Sequence, residues 1–132
     1  MAPVLDASAL LAYLREEPGA DVVADVIADG ATMSTVNLAE VFARSVDRGA
    51  EPAKLAAKLI EGGLLEGAIA VEPFTVADAI DTARLRPLTR DAGLSLGDRA
   101  CLALARRLSS PAVTADAAWQ GIAHGVELRQ IR

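Results

Sequence analysis

Aromatic side chains are nearly missing from this sequence of 132 residues: Tyr13, Phe42, Phe74 and Trp119 are the whole complement. That excludes the usual grip on a single nucleic-acid strand, in which successive bases stack on aromatic platforms. Cysteine occurs once, at Cys101, so no internal disulfide can form and the chain fits a reducing compartment. Histidine also occurs once, at His124; with no Cys/His cluster, a zinc site is excluded. Cys101 reads as core packing on an apolar helix face, and His124 as a turn residue before Gly125. Lysine is confined to Lys54 and Lys58. The first residues carry neither a basic leader nor a long apolar run, and no stretch is long and pure enough to span a bilayer. The expectation is a soluble, cytoplasmic protein with no membrane partner.

What is plentiful is aliphatic. The sequence is 52% hydrophobic and 23% charged, which supplies a core of Ala, Leu, Val and Ile and argues against disorder. Its length suits one domain, residues 1–132. The formal net charge of −5 speaks against a nucleic-acid partner. The charge is uneven, however. Arg84, Arg86, Arg90, Arg99, Arg106 and Arg107 fall in one stretch that holds only Asp91 and Asp98 as acids. This is either a local basic surface on an acidic protein or a set of scattered solubilising arginines.

The hydrophobic pattern alternates between strand and helix. Pro3-Val4-Leu5 is a short apolar run with Asp6 directly after it, and residues 7–14 read as a helix with Leu10, Leu11 and Leu14 on one face. Residues 20–28 repeat the helical spacing up to Gly30, a helix-ending glycine. A second strand is predicted over 31–34, then a helix capped by Ser34 or Thr35 and running to about Asp47. Another helix covers 53–61, a third strand 69–71, and a helix 76–85. Residues 87–94 read as a loop because Pro87 opens them. A strongly apolar helix follows over 96–108, a fourth strand over 112–114, a short helix from Asp116 to about Ile122, and a last strand over 126–128. Such alternation predicts an α/β/α sandwich with a central, mostly parallel sheet.

In open parallel sheets, ligands bind beyond the carboxyl ends of the strands. Four acids fall at such places. Asp6 follows the first strand, Glu40 lies in the helix after the second, Asp98 opens the apolar helix feeding the fourth, and Asp116 follows the fourth. Each has an ordinary alternative. Asp6 and Asp116 fit helix caps, Ser95-Leu96-Gly97-Asp98 fits a capping box, and Glu40 fits a solvated helix face. Convergence has a cost, since two unit charges at about 4 Å repel by roughly 4 kcal/mol at an effective dielectric near 20. A divalent cation removes that cost, and an all-oxygen donor set suits Mg²⁺ or Mn²⁺. Such an ion suits phosphodiester hydrolysis, where it neutralises the phosphate and acidifies water while a carboxylate takes the proton. Polar neighbours support the acids. Ser8 follows Asp6 by two residues, Asn37 shares a helix face with Glu40, and Thr114 is placed to hold the carboxylate of Asp116 or a metal-bound water.

Four segments carry a family resemblance. Val4-Leu5-Asp6-Ala7-Ser8-Ala9-Leu10 resembles the opening strand and acid of PIN domains, and Ser34-Thr35-Val36-Asn37-Leu38-Ala39-Glu40-Val41 their glutamate-bearing motif. Leu96-Gly97-Asp98-Arg99-Ala100-Cys101-Leu102-Ala103-Leu104-Ala105 is similar to the third motif, an Asp leading an Ala-rich helix. Thr114-Ala115-Asp116-Ala117-Ala118-Trp119 is similar to the fourth, with an aromatic three residues after the acid. Each motif alone is weak, but four in order across nearly the whole chain are specific. Within the family, the size and single domain resemble VapC toxins.

The resemblance implies a Mg²⁺- or Mn²⁺-dependent endoribonuclease with Asp6, Glu40, Asp98 and Asp116 as catalytic metal ligands. Ser8, Asn37 and Thr114 are expected to support them, and Arg84, Arg86, Arg90 and Arg99 to meet RNA. It also implies a VapB-like antitoxin partner and a homodimer or toxin–antitoxin hetero-oligomer. The apolar helices at 20–28 and 53–61 are expected to offer the antitoxin a groove, or else to serve core and dimer packing. The alternative is a catalytically inactive PIN-fold module that binds RNA or protein, though such a module would be expected to lose acids and this sequence keeps all four. A haloacid-dehalogenase-like phosphatase is disfavoured because position 8 is Ser instead of a second Asp and no lysine occurs late in the chain. A phosphoacceptor receiver domain fails in the same way.

Overall fold

A computed structural model describes residues 2–132. In chain order the elements are β1 (Val4–Leu5), α1 (Ala7–Leu14), α2 (Ala20–Asp29), β2 (Ala31–Ser34), α3 (Thr35–Val46), α4 (Pro52–Glu61), β3 (Ile69–Glu72), α5 (Val76–Thr89), α6 (Leu96–Leu108), β4 (Ala112–Thr114) and β5 (Leu128–Gln130). The five strands form one sheet in the order β3-β2-β1-β4-β5. Every pairing is parallel, so the sheet is parallel throughout.

Period-two alternation along the strands divides the core into two layers. Leu5, Met33 and Val113 face a cluster built with α1 and α2 (Leu10, Val23, Ile27), with Val41 of α3 joining it. Val4 and Ala112 face the opposite cluster, built from α6 (Cys101, Leu102, Ala105), Leu85 of α5 and Trp119. Helix α6 is buried over residues 99–105, which explains the unbroken apolar run 100–105 at its centre. The α/β/α sandwich expected from the sequence is therefore the observed one. Among the described residues, no helix is long and apolar enough to cross a membrane.

Three boundaries differ from the sequence pattern. Helix α5 runs through Pro87 to Thr89, where a loop was expected. Leu85 and Thr89 are both fully buried, and Thr89 Oγ1 donates to the Leu85 carbonyl at 2.9 Å, so tertiary anchoring on both sides of the proline outweighs its missing donor. The helix expected from Asp116 to Ile122 is a single 3-10 turn, Ala117–Trp119, followed by Gly121 in the left-handed region (φ 75°). The last strand begins at Leu128 instead of 126. His124 explains the shift: it is buried, its Nε2 meets the Trp119 carbonyl, and its Nδ1 accepts from the Val126 N–H, each at 3.0 Å. That N–H is spent on the turn, and pairing with β4 starts at the Glu127 carbonyl.

Candidate active site

Strand β1 is two residues long, and the chain leaves it at Asp6, at the carboxyl end of the sheet. Asp6 has extended backbone, and its Oδ1 accepts from the Ala9 N–H at 2.8 Å, capping α1. The carboxylate does more than cap. Ser8 Oγ donates to Oδ1 at 2.7 Å, and Thr114 Oγ1, at the end of β4, donates to Oδ2 at 2.6 Å. Burial drives the Asp6 pKa up from 3.8 to about 6, against the three hydrogen bonds that lower it, and the charge of Asp98 adds to the rise.

Pairing of β1 with β4 brings Asp6 and Asp116 to one edge. Ser8 Oγ also accepts from the Ala115 N–H at 2.9 Å, and Thr114 Oγ1 from the Asp116 N–H at 3.0 Å. The two hydroxyls stitch the loop carrying Asp116 to the start of α1. Thr114, expected to hold the carboxylate of Asp116, holds instead the carboxylate of Asp6 and the backbone of Asp116. The side chain of Asp116 is exposed, and its Oδ1 accepts from the Ala118 N–H at 2.9 Å, capping the 3-10 turn.

Glu40 and Asp98 come from α3 and α6, which pack against each other. Asn37 is buried and its Nδ2 donates to the Gly97 carbonyl at 2.9 Å. One turn further along α3, half-buried Glu40 lies over the same glycine: a Cβ at Gly97 would stand 2.5 Å from Glu40 Oε1. The other oxygen, Oε2, lies 3.6 Å from Arg44 Nε. Burial raises the Glu40 pKa, Arg44 opposes the rise and Asp98 adds to it. Asp98 closes a capping box, its Oδ2 accepting from the Ser95 N–H at 2.8 Å while Ser95 Oγ accepts from the Asp98 N–H at 3.1 Å.

Asp98 links the two halves electrostatically, since its charge raises the pKa of both Asp6 and Glu40. Cys101 lies in the same field: burial first, then Asp6 and Asp98, push its thiol well above the ordinary range. It is a fully buried core residue, as its place on the apolar face predicts.

Of the four arginines expected at RNA, Arg84 and Arg86 on α5 and Arg90 just beyond it are exposed. Arg99 does not join them. It is 7% exposed and its Nη1 donates to the Thr82 carbonyl at 3.0 Å, tying α6 to α5. Gly97 has structural weight at this edge that the sequence pattern does not assign to it. It carries a faint signal, as a glycine in the first turn of a helix whose backbone does not need one.

The PIN domain profile matches residues 4–125, and the chain belongs to the PIN domain family, whose members are generally nucleases. No curated protein matches the sequence. Among solved structures the chain is similar to VapBC2 from Rickettsia felis bound to a DNA fragment from their promoter, at 16% identity over 100% of both chains with a TM-score of 0.72. It is similar to DNA-bound VapBC from Salmonella typhimurium, at 14% identity over 100% of both chains and a TM-score of 0.72. A toxin–antitoxin complex from Klebsiella pneumoniae matches at 13% identity over 98% of each chain, with a TM-score of 0.70. At these identities the likeness establishes the fold.

PIN nucleases typically use divalent metals, and the residues here fit such an ion in chemistry and field. The donors are all oxygen, the choice of a hard cation. Two carboxyls carry raised pKa values with a third carboxylate among the causes, a repulsion that a cation relieves. Asn37 Oδ1 is buried without a partner among the described residues, in the same amide that bonds Gly97. The carboxylates are not gathered into a shell, however. Among the described residues, no group of three or more His, Cys, Asp or Glu side chains is placed to hold a metal.

Proposed function

We propose that this PIN domain is a metal-dependent endoribonuclease and the toxin of a toxin–antitoxin pair. The observation that carries the reading is that the charge of Asp98 adds to burial in raising the pKa of both Asp6 and Glu40 at the carboxyl edge of the sheet. In this reading Asp6, Glu40, Asp98 and Asp116 hold Mg²⁺ or Mn²⁺. Bound there, the cation neutralises the scissile phosphodiester and acidifies water. Asp6 is the rigid member, fixed by Ser8, Thr114 and the Ala9 N–H. Asp116, the exposed carboxylate of the four, takes the proton of the attacking water. Arg84, Arg86 and Arg90 bind the RNA backbone as phosphate contacts, which fix register without reading sequence.

The partner in this reading is a VapB-like antitoxin, supported by the toxin–antitoxin complexes among the structural relatives. Helix α2 buries Val23, Val26 and Ile27, whereas α4 buries no residue. A groove of about 350 Å³ runs between α1, α3 and α4, lined by Leu11, Leu14, Leu55 and Leu59 with Arg15 and Lys58 at hand. It suits the apolar face of an antitoxin helix, so the groove involves α4 but not the expected α2. Assembly as a homodimer or toxin–antitoxin hetero-oligomer belongs to the same proposal.

The ungathered carboxylates favour a second reading, a catalytically inactive PIN-fold module that binds RNA or protein. One experiment separates the two. Total bacterial RNA is incubated with purified wild-type or Asp98→Asn protein in Mg²⁺, Mn²⁺ or EDTA. The asparagine oxygen can still accept from the Ser95 N–H as Asp98 does, so the variant keeps its fold and loses one ligand charge. Discrete, metal-dependent fragments that vanish with Asp98→Asn support the nuclease. Intact RNA from folded wild-type protein under every metal supports the binding module.

A further inference from the structure

We propose that Gly97 and Asn37 form a positioning clamp that sets the place of the Glu40 carboxylate against the first turn of α6. The inference rests on the metal-site reading above.

Glycine in a helix is less favourable than alanine, because it loses more backbone freedom on folding. Gly97 nonetheless sits in the first turn of α6, without the positive φ that marks Gly93 or Gly121. Backbone conformation therefore does not call for it. The missing Cβ does: that atom would stand 2.5 Å from Glu40 Oε1, 3.6 Å from Asn37 Nδ2 and 3.7 Å from Ser95 Oγ. Only the first of these is a collision, and it is with the far end of a flexible side chain.

Asn37 supplies the other jaw. Its Nδ2 holds the Gly97 carbonyl at 2.9 Å, fixing α6 against α3 one turn before Glu40. Asp98 is the next residue after the clamped carbonyl. The same contact thus fixes the separation between the backbone origins of the two acids. Glu40 has no helix cap or hydroxyl partner of its own, only the exposed Arg44 at 3.6 Å. The steric floor at Gly97 does for Glu40 what three hydrogen bonds do for Asp6.

The consequence separates function from stability. Gly97→Ala improves helix propensity and displaces only a flexible carboxylate, so it leaves the unfolding midpoint unchanged or higher. It weakens Mn²⁺ binding by about 10- to 100-fold, the scale on which displaced supporting contacts act on metal sites. Shortening the acid makes room for the methyl, so in a Glu40→Asp background Gly97→Ala costs less than about 2-fold, a non-additivity expected of groups in contact.

Mn²⁺ affinity is measured by titration calorimetry, alongside thermal unfolding in EDTA, for wild type, Asp6→Asn, Gly97→Ala, Glu40→Asp and the Gly97→Ala/Glu40→Asp double variant. Weakened binding at an undiminished midpoint, with the loss absent in the Glu40→Asp background, supports the clamp. Wild-type affinity in Gly97→Ala, while Asp6→Asn loses binding, overturns the clamp and spares the metal-site reading. Equal or absent binding in wild type and Asp6→Asn overturns both. Should Gly97→Ala fail to fold, Asn37→Ala frees the Gly97 carbonyl without adding bulk, and unchanged Mn²⁺ affinity there overturns the clamp as well.

Discussion

Asp6→Asn should stabilise the metal-free protein at neutral pH while abolishing RNA cleavage. Burial raises the Asp6 pKa from 3.8 to about 6. Below 3.8 the carboxyl is neutral in both folded and unfolded chains, and its ionisation contributes nothing. Between 3.8 and 6 the unfolded chain ionises first, the folded chain holds more protons, and stability falls as pH rises. Above 6 the full penalty applies, about 3 kcal/mol for a shift of roughly two units. Asparagine removes the charge but keeps the shape. Its oxygen still accepts from Ala9, while its amide must meet the Thr114 hydroxyl, which has to turn from donor to acceptor although it already accepts from the Asp116 N–H. Weakening that bond costs about 1 kcal/mol, which leaves a net gain of about 1–3 kcal/mol, or roughly 3–8 °C in midpoint for a domain of this size. Thermal unfolding in EDTA from pH 4 to pH 8 is the assay. The gain should be present at pH 7 and vanish toward pH 4. A variant that melts lower than wild type at pH 7, or whose gain is the same at every pH, would refute the claim that Asp6 is a strained buried carboxylate.

Three further outcomes are expected. Replacing Arg84, Arg86 and Arg90 together by Ala should weaken RNA cleavage while leaving Mn²⁺ affinity intact; unchanged cleavage removes the arginines from the RNA surface. Thr114→Val deletes the donor to Asp6 and the acceptor for the Asp116 N–H, so it should cost about 1–3 kcal/mol at neutral pH and raise the Asp6 pKa further, seen as a later pH at which stability levels off. Arg107→Met leaves Asp78 buried without its guanidinium. Burial alone pushes the Asp78 pKa up, but the bonds from Arg107 and Thr75 outweigh it and hold the carboxyl below its ordinary value. That stabilisation exists above the unfolded pKa and is lost as pH falls through the folded one. Urea titrations should therefore show a loss of about 1–3 kcal/mol at pH 7 that fades on acidification; a pH-independent loss assigns the effect to packing.

The sheet and its helices were legible because alternation of apolar periods survives in a sequence with few competing signals. Val4, Leu5, Ala112 and Val113 are each fully buried on one face or the other, as continuous apolar strands of a parallel sheet should be. What failed were local rules overruled by burial and hydrogen bonding that the pattern does not show. Pro87 reads as a breaker until Leu85 and Thr89 are seen buried on either side of it. Val126 reads as a strand residue until its N–H is found on His124. Arg99 reads as one more surface arginine until the Thr82 carbonyl, 17 positions away, claims it. Only the Arg99 contact lies far away in sequence; for Pro87 and Val126 the deciding feature is the burial of neighbours a few residues off, which tertiary packing sets.

The acids pose a subtler problem, because capping and chemistry entered as rival explanations and the structure makes them compatible. Asp6, Asp98 and Asp116 all cap helices. An ionised carboxylate has two oxygens and about four acceptor positions, so one backbone N–H leaves most of it available. For Asp6 and Asp116 the capped turn begins where a strand of the parallel sheet has just ended, so capping itself holds these two carboxylates at the edge where ligands bind in such sheets. Glu40 is the exception. It lies mid-helix, where no free N–H exists to hold it, and its placement falls to the neighbour it touches. That is why a glycine, with no side chain of its own, is the residue whose replacement should most selectively disturb the proposed site.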